Sequence, residues 1–320
     1  MSPKRGLAIP RDANDATVRA GMHDVRVTNL GKIFWPQLRV TKGDLLQYYA
    51  DVAAVLLPHL KDRAMVMKRY PHGIGGEFFF MKRTPQPQPE WLQTCRIVHG
   101  SGNAIDFPMI NDVAALLWVI NLGCIDLNQW YARCDDVDRP DYLHFDLDPG
   151  SAPFSVVREV ALVVRDGLKG VGVPSYAKTS GSKGMHVYVP IVRGPTQKAV
   201  WTFAKAFAQT VASHYPALAT AEYRVENRPR GRVLVDYNQN RWGATLASVY
   251  SVRPTPRATV SAPATWDEIE SGCEIEDFRI DNMRERIAKV GDLWDPMVKN
   301  RGRFDLSHLI PELTPKDRKA

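Results

Sequence analysis

The chain has 320 residues, 44% of them apolar and 24% charged, with a net charge of +7. That length makes one large domain or two small ones, and that composition is globular; it excludes a membrane protein, a disulfide scaffold and a low-complexity chain. The basic surplus suits a polyanionic partner without choosing one. Residues 1–22 read as a flexible leader: Lys4, Arg5, Arg11 and Arg19 are spread along it with no apolar run, so it is no signal peptide. Thr41 is placed to cap a helix in which Leu45, Leu46, Tyr49, Val52 and Ala53 recur at helical spacing, and Pro58 is expected to end it. Residues 65–70 read as a strand stopped by Pro71 and by Gly73, Gly75 and Gly76. The run Phe78, Phe79, Phe80, Met81, Lys82, Arg83 follows, then a proline-spaced linker. Residues 114–122 read as a buried helix, and the apolar stretch around it is too short to span a bilayer. Cys95, Cys124, Cys134 and Cys273 form no C-x-x-C pair; reduced thiols in a cytoplasm are expected.

From Asp141 the pattern changes. Residues 142–148 read as a strand, 154–168 as a helix, and 175–178 and 185–191 as short strands around a glycine turn. Residues 198–215 make the clearest helix, with Val200, Phe203, Ala204, Phe207, Ala208 and Val211 on one stripe. Residues 232–237 read as another strand, and the charged, proline-bearing stretch 299–320 as a tail, frayed from Thr314. Mixed strands and helices give an α/β (mixed α+β) class.

The chemistry concentrates in His144-Phe145-Asp146-Leu147-Asp148-Pro149-Gly150. Alternate side chains of a strand share a face, so Leu143, Phe145 and Leu147 point one way and His144, Asp146 and Asp148 the other. The two carboxylates are about 6.6–7 Å apart along the strand and can lean onto one or two divalent cations. A third acid, Asp236, ends the apolar strand Val233-Leu234-Val235. Three such acids are the ordinary cage for two Mg²⁺ or Mn²⁺ ions in phosphoryl transfer. The turn Ser180-Gly181-Ser182-Lys183-Gly184 offers backbone N–H groups, hydroxyls and a charge for an anion, and His186 lies on the strand that follows. It is not a Walker A loop. Basic and aromatic residues interleave at Lys68-Arg69-Tyr70 and through the Phe78–Phe80 run, which suits base stacking along a phosphate backbone; core packing is the plainer alternative for the phenylalanines.

Taken together these residues resemble the polymerase domain of bacterial ligase D, in the archaeo-eukaryotic primase superfamily, and in particular the stand-alone actinobacterial primase-polymerases. The resemblance runs from about Val25 to about Pro296 and rests on D-x-D, S-G-x-x-G-x-H, the later strand acid, and the string from Asp138 to Gly150. It implies a primase-like catalytic core of two lobes, about 23–140 and 141–298, the second with an RRM-like sheet. It implies that Asp146, Asp148 and Asp236 bind two catalytic ions, Mn²⁺ or Mg²⁺, and that Lys68, Ser180, Gly181, Lys183, His186, Gln239 and Arg253 hold an NTP or dNTP. Phe79 and Phe80 are then template contacts, and Lys32 and Lys42 the pocket for a DNA 5′-phosphate. Family members often carry Leu-His-x-Trp, and here Leu127-Asn128-Gln129-Trp130 puts Asn128 in the place of that histidine, a departure from the family pattern. No K-x-D-G ligase nucleophile occurs; Val164-Arg165-Asp166-Gly167 lacks the lysine.

The expected activity is template-directed nucleotidyl transfer, in a bacterial cytoplasm at the nucleoid, filling short gaps with a ribonucleotide preference. The partners are gapped or broken 5′-phosphorylated DNA and nucleoside triphosphates. End processing with Ku and a separate ligase is the alternative within this reading, and primer synthesis a third. A two-metal nuclease needs the acids but not the triphosphate turn. An RNA-binding module needs aromatics but not three acids.

Overall fold

The computed structural model describes residues 7–299 and 302–310. The chain divides into two compact units that interleave in sequence: residues 1–130, 247–261 and 278–292 form one, and 131–246, 262–277 and 293–320 the other. The mixed α/β class expected from the element order is the class found.

The first unit holds β1 (Ala16–Ala20), β2 (His23–Val27), β3 (Ile33–Trp35), β4 (Val40–Thr41), α1 (Lys42–Leu60), β5 (Met65–Arg69), β6 (Phe79–Met81), β7 (Thr94–Val98), β8 (Ala104–Pro108), α2 (Val113–Asn121) and β9 (Cys124–Trp130). Helix α1 starts in a capping box: Thr41 Oγ1 accepts from the Asp44 N–H, and the Asp44 carboxylate accepts from the Thr41 N–H. Pro58 lies inside its last turn rather than beyond its end. The amide that proline lacks costs one helical bond, which burial of Leu56 and Leu60 offsets. Helix α1 packs on α2, and Leu45, Leu46, Tyr49, Leu116, Leu117 and Ile120 are sealed from solvent. Strand β5 runs antiparallel between β6 and β9.

Two expectations change here. The leader expected over 1–22 ends in structure: β1 pairs with β2 from Ala16↔Val27 to Ala20↔His23, burying Val18, Ala20, Val25 and Val27. Its alternation, with Arg19, Asp24 and Arg26 outward, is a two-period spread over only five residues a side. Residues 1–6 lie outside the described residues. Second, of the four cysteines expected to be reduced, only Cys124 and Cys273 are free thiols.

The second unit holds β10 (Tyr142–Asp148), α3 (Phe154–Gly170), β11 (Tyr176–Thr179), β12 (Met185–Pro190), α4 (Gln197–His214), β13 (Ala219–Thr220), β14 (Val233–Asp236), β15 (Thr245–Ala247, its last residue in the first unit) and β16 (Pro263–Ala264). Six strands form one sheet in the order β13-β14-β10-β12-β11-β16, antiparallel except for β13–β14. Leu143, Phe145, Leu147, Met185, Val187, Val233 and Val235 are wholly buried on one face. Helices α3 and α4 cover that face with Val157, Val160, Val164, Val200, Ala204 and Ala208, and Phe145 meets Phe207 at 5.0 Å between ring centres. The opposite face carries the polar residues of β10. The expected tail is partly folded: Phe304 bridges Ile191, and the Arg303 guanidinium donates to the carbonyls of Asp141 and Ile191. Residues 311–320, including the stretch expected to fray, lie outside the described residues. Among the described residues no helix is long and apolar enough to cross a membrane.

Candidate active site

Strand register builds the centre of the site. Asp146 on β10 stands opposite Asp236 on β14 and opposite His186 on β12, and His186 stands opposite Lys178 on β11. One row across four strands therefore reads Asp236, Asp146, His186, Lys178, all on the face away from α3 and α4. His186 Nε2 lies 3.3 Å from Asp146 Oδ1. Lys178 is wholly buried at the end of the row, its Nζ 5.8 Å from the centre of the Tyr188 ring.

The three acids are not equivalent. Asp236 is 6% exposed, and burial, then the Asp146 charge, push its carboxyl above the ordinary aspartate range against the pull of its donors. Those donors are the Asn238 N–H at 2.7 Å and the Gln239 Nε2 amide at 3.1 Å. Gln239 is thus fixed by the acid beside it. Asp148, at the open end of β10, has a side chain 47% exposed. It accepts from the Gly150 N–H at 3.1 Å, and Arg228 Nη1 lies 3.2 Å from its Oδ2. Arg228 is held in turn by donating to the carbonyls of Glu222 and Tyr223. Asp146 and Asp236 are brought side by side, whereas Asp148 is engaged by an arginine. Among the described residues no three His, Cys, Asp or Glu side chains converge as a metal cage. The Asp146–Asp236 pair still fits a hard divalent cation, because a cation between them removes the repulsion that raises Asp236.

His144 shares this face but is a packing residue. It is 1% exposed, stacked on Tyr188 at 5.1 Å and edge-on to Tyr131 at 5.5 Å. Burial, then the charge of His186, lower its pKa to about 3, so it stays neutral.

The glycine turn departs from the sequence expectation. Ser180 Oγ already accepts the N–H groups of Ser182, Lys183 and Gly184 at 3.1, 3.2 and 3.0 Å. The amides expected to cradle an anion are held by the turn's own hydroxyl, which has the geometry of a serine turn. Lys183 is exposed and Ser180 buried. Gly181 has φ +65°, which glycine adopts without strain. Gly184 is required for another reason: a Cβ there would sit 2.1 Å from the Leu147 carbonyl oxygen.

The first unit carries its own cluster. Lys68 and Arg253 both pair with Asp126, a buried acid on β9 that the sequence reading passed over. Its signal was there: a lone acid between Ile125 and Leu127, the same pattern that exposed Asp236. Arg228 and Lys178 were not singled out as site residues, for neither forms a motif with the acid it accompanies. Phe78, Phe79 and Phe80 are 50%, 41% and 60% exposed, so core packing is not their role. The Arg69 guanidinium lies over the Phe79 ring at 5.1 Å. Lys42 is 5% exposed and donates to the Thr28 carbonyl at 2.6 Å; burial, then the charge of Lys32, lower its pKa to about 8. Lys32 contacts His72 Nδ1 at 3.3 Å.

A family model described as "LigD, primase-polymerase domain" matches residues 41–294. The chain is 34% identical over 276 residues to the multifunctional non-homologous end joining protein LigD of Mycolicibacterium smegmatis, covering 85% of this chain and 36% of that protein. It is 32% identical over 294 residues to the bifunctional non-homologous end joining protein LigD of Bacillus subtilis, covering 91% and 47%. The chain thus spans less than half the length of these relatives. Among solved structures, the polymerase domain of Mycobacterium tuberculosis ligase D in complex with DNA matches with a TM-score of 0.81 and 31% identity, over 86% of this chain and 98% of that one.

Proposed function

The chain belongs to the family of LigD primase-polymerase domains, which are nucleotidyltransferases, and from that premise we propose that it adds nucleotides opposite a template at short, 5′-phosphorylated gaps in DNA, favouring ribonucleotides. The observation that carries this reading is the Asp146–Asp236 pair beside His186 on one sheet face. Asp146, Asp148 and Asp236 are the proposed holders of two divalent cations, Mg²⁺ or Mn²⁺. Bound there, such ions would polarise the attacking 3′-hydroxyl and offset charge on the leaving pyrophosphate. Asp148 joins the set when Arg228 turns away from it. Lys68, Ser180, Gly181, Lys183, His186, Gln239 and Arg253 are the proposed nucleotide contacts. His186 would donate to a phosphate oxygen, and Lys183 would add its charge from the exposed tip of the turn. Phe79 and Phe80 offer exposed faces for template bases. Lys32 and Lys42 take the 5′-phosphate beyond the gap.

The test is primer extension across a one-nucleotide gap, comparing NTP with dNTP, Mg²⁺ with Mn²⁺, and a 5′-phosphate with a 5′-hydroxyl downstream. One ribonucleotide added, more with the phosphate present, is the expected result. Degradation of the DNA without added nucleotide, and no extension, would overturn it in favour of a nuclease.

A second reading is end processing in non-homologous end joining with Ku and a ligase. It is favoured by the relatives, which are named for that pathway. Faster extension on 3′-overhanging ends held by Ku than on gapped duplexes would select it.

A further inference from the structure

Asp126 lies in the middle of β9, 1% exposed, and its two oxygens are divided between two cations. Lys68 stands directly across the β5–β9 pair, its Nζ 3.5 Å from Oδ2, and Arg253 Nε lies 3.2 Å from Oδ1. Each cation keeps 18% of its side chain exposed, so each has a dry side toward Asp126 and a wet side away from it. Lys68 Nζ is further confined by the Phe78 ring, 4.2 Å from its centre. A buried ion cluster is poor ground for stability, since apolar side chains of similar volume do as well or better. What a shared anion does provide is spacing: it fixes the separation of two cationic heads that would otherwise repel.

We propose that Asp126 is a positioning residue for the nucleotide, acting through Lys68 and Arg253 by holding their heads at the spacing a triphosphate requires. This rests on the reading of Lys68 and Arg253 as nucleotide contacts. The sign of the effect separates positioning from plain charge balance. Asp126 cancels one of two positive charges, so if charge alone mattered, its removal would tighten triphosphate binding. Positioning gives the opposite sign, because the two cations lose their anchor and move apart.

The experiment uses the full chain with the Asp126→Asn substitution, titrated with ATP in the presence of Mn²⁺ and assayed by primer extension. Both the ATP dissociation constant and KM should rise by roughly tenfold, the worth of one charge-assisted hydrogen bond, with kcat little changed. In an Arg253→Ala background the same substitution should add less than about threefold, because its main route of action is gone. Unchanged or tighter ATP binding by Asp126→Asn, while Lys68→Ala and Arg253→Ala each weaken it, overturns the positioning role and leaves the contacts standing. Wild-type affinity in Lys68→Ala and Arg253→Ala overturns the reading beneath it and the proposal with it. Should Asp126→Asn fail to fold, Asp126→Glu takes its place: the charge stays but the carboxylate moves by one methylene. ATP binding weakened by about threefold or more then supports the role, and wild-type binding overturns it.

Discussion

Asp146 and Asp236 face each other across adjacent strands, and the more buried of the two, Asp236, has its carboxyl raised by burial and by its partner's charge. The arrangement is unfavourable to the protein alone and favourable to a cation. Replacing Asp236 with Asn should therefore separate stability from activity. A folded pKa above the unfolded one means that the unfolded carboxyl ionises first as pH rises. Stability is then lost from the unfolded pKa up through the folded one, so the penalty grows as pH rises across that window. Asp236→Asn should melt higher than the wild type at pH 7 in EDTA, with the gap closing in acid. It should also lose primer extension by three orders of magnitude or more, about 4 kcal/mol of transition-state stabilisation. A lower melting temperature, or retained extension, would contradict this account.

The same proton must leave for a cation to bind. Mn²⁺ or Mg²⁺ should raise the melting temperature of the wild type, and the increment should shrink as pH falls and Asp236 takes up its proton. Thermal melts across a pH series with and without Mn²⁺ read this directly. An increment independent of pH, or one that persists in Asp236→Asn, would place the ion elsewhere.

Arg228 competes with any cation for Asp148. Removing it by Arg228→Ala should raise the divalent-ion affinity of the protein without DNA. The pair is half in water, so the gain should be small, about two- to fivefold, as for an exposed ion pair. Mn²⁺ titration of the two proteins measures it. A weaker affinity in the variant would show that Arg228 supports the site rather than occupying one of its ligands.

Much of this was legible in the residues. Strand β10 was bounded correctly because Leu143, Phe145 and Leu147 alternate with His144, Asp146 and Asp148 over seven residues. Helix α4 was legible because its stripe repeats over three turns of helix. Strands β1 and β2 were not, because five residues of alternation give little against a charged background. The returning segments 247–261 and 278–292 carry no local pattern that says which unit they join; that is decided by contacts with α1, such as the Tyr48 hydroxyl donating to the Tyr250 carbonyl at 2.9 Å and His59 Nε2 lying 3.1 Å from an Asp292 carboxylate oxygen. In the turn, the glycines were legible, but whether its amides face a ligand or Ser180 Oγ depends on one side-chain rotamer. Gly184 read as a turn glycine, and its closeness to Leu147 belongs to a strand thirty-odd residues away. The Asp126 pairings join β9 to two residues remote in sequence, which no spacing rule reaches.

Lys42 offers a test of the 5′-phosphate reading through pH. With a pKa lowered to about 8, its amine is charged at pH 7 and loses its proton as pH rises through 8. A phosphate contact needs the charged form, so the advantage of a 5′-phosphate over a 5′-hydroxyl should fall between pH 7 and 9. A bound phosphate favours the ammonium and moves the midpoint upward, so the decline with DNA bound should lie at or above pH 8. Lys42→Arg keeps its charge throughout this range and should flatten the profile, with some loss of affinity at pH 7 because the longer side chain cannot keep the 2.6 Å bond to the Thr28 carbonyl. The measurement is DNA affinity at a series of pH values for gapped duplexes that differ only in the downstream 5′ group. A phosphate advantage constant from pH 7 to 9 in the wild type would remove Lys42 from the phosphate pocket and leave Lys32, whose Nζ lies near His72, as the remaining cation of that pair.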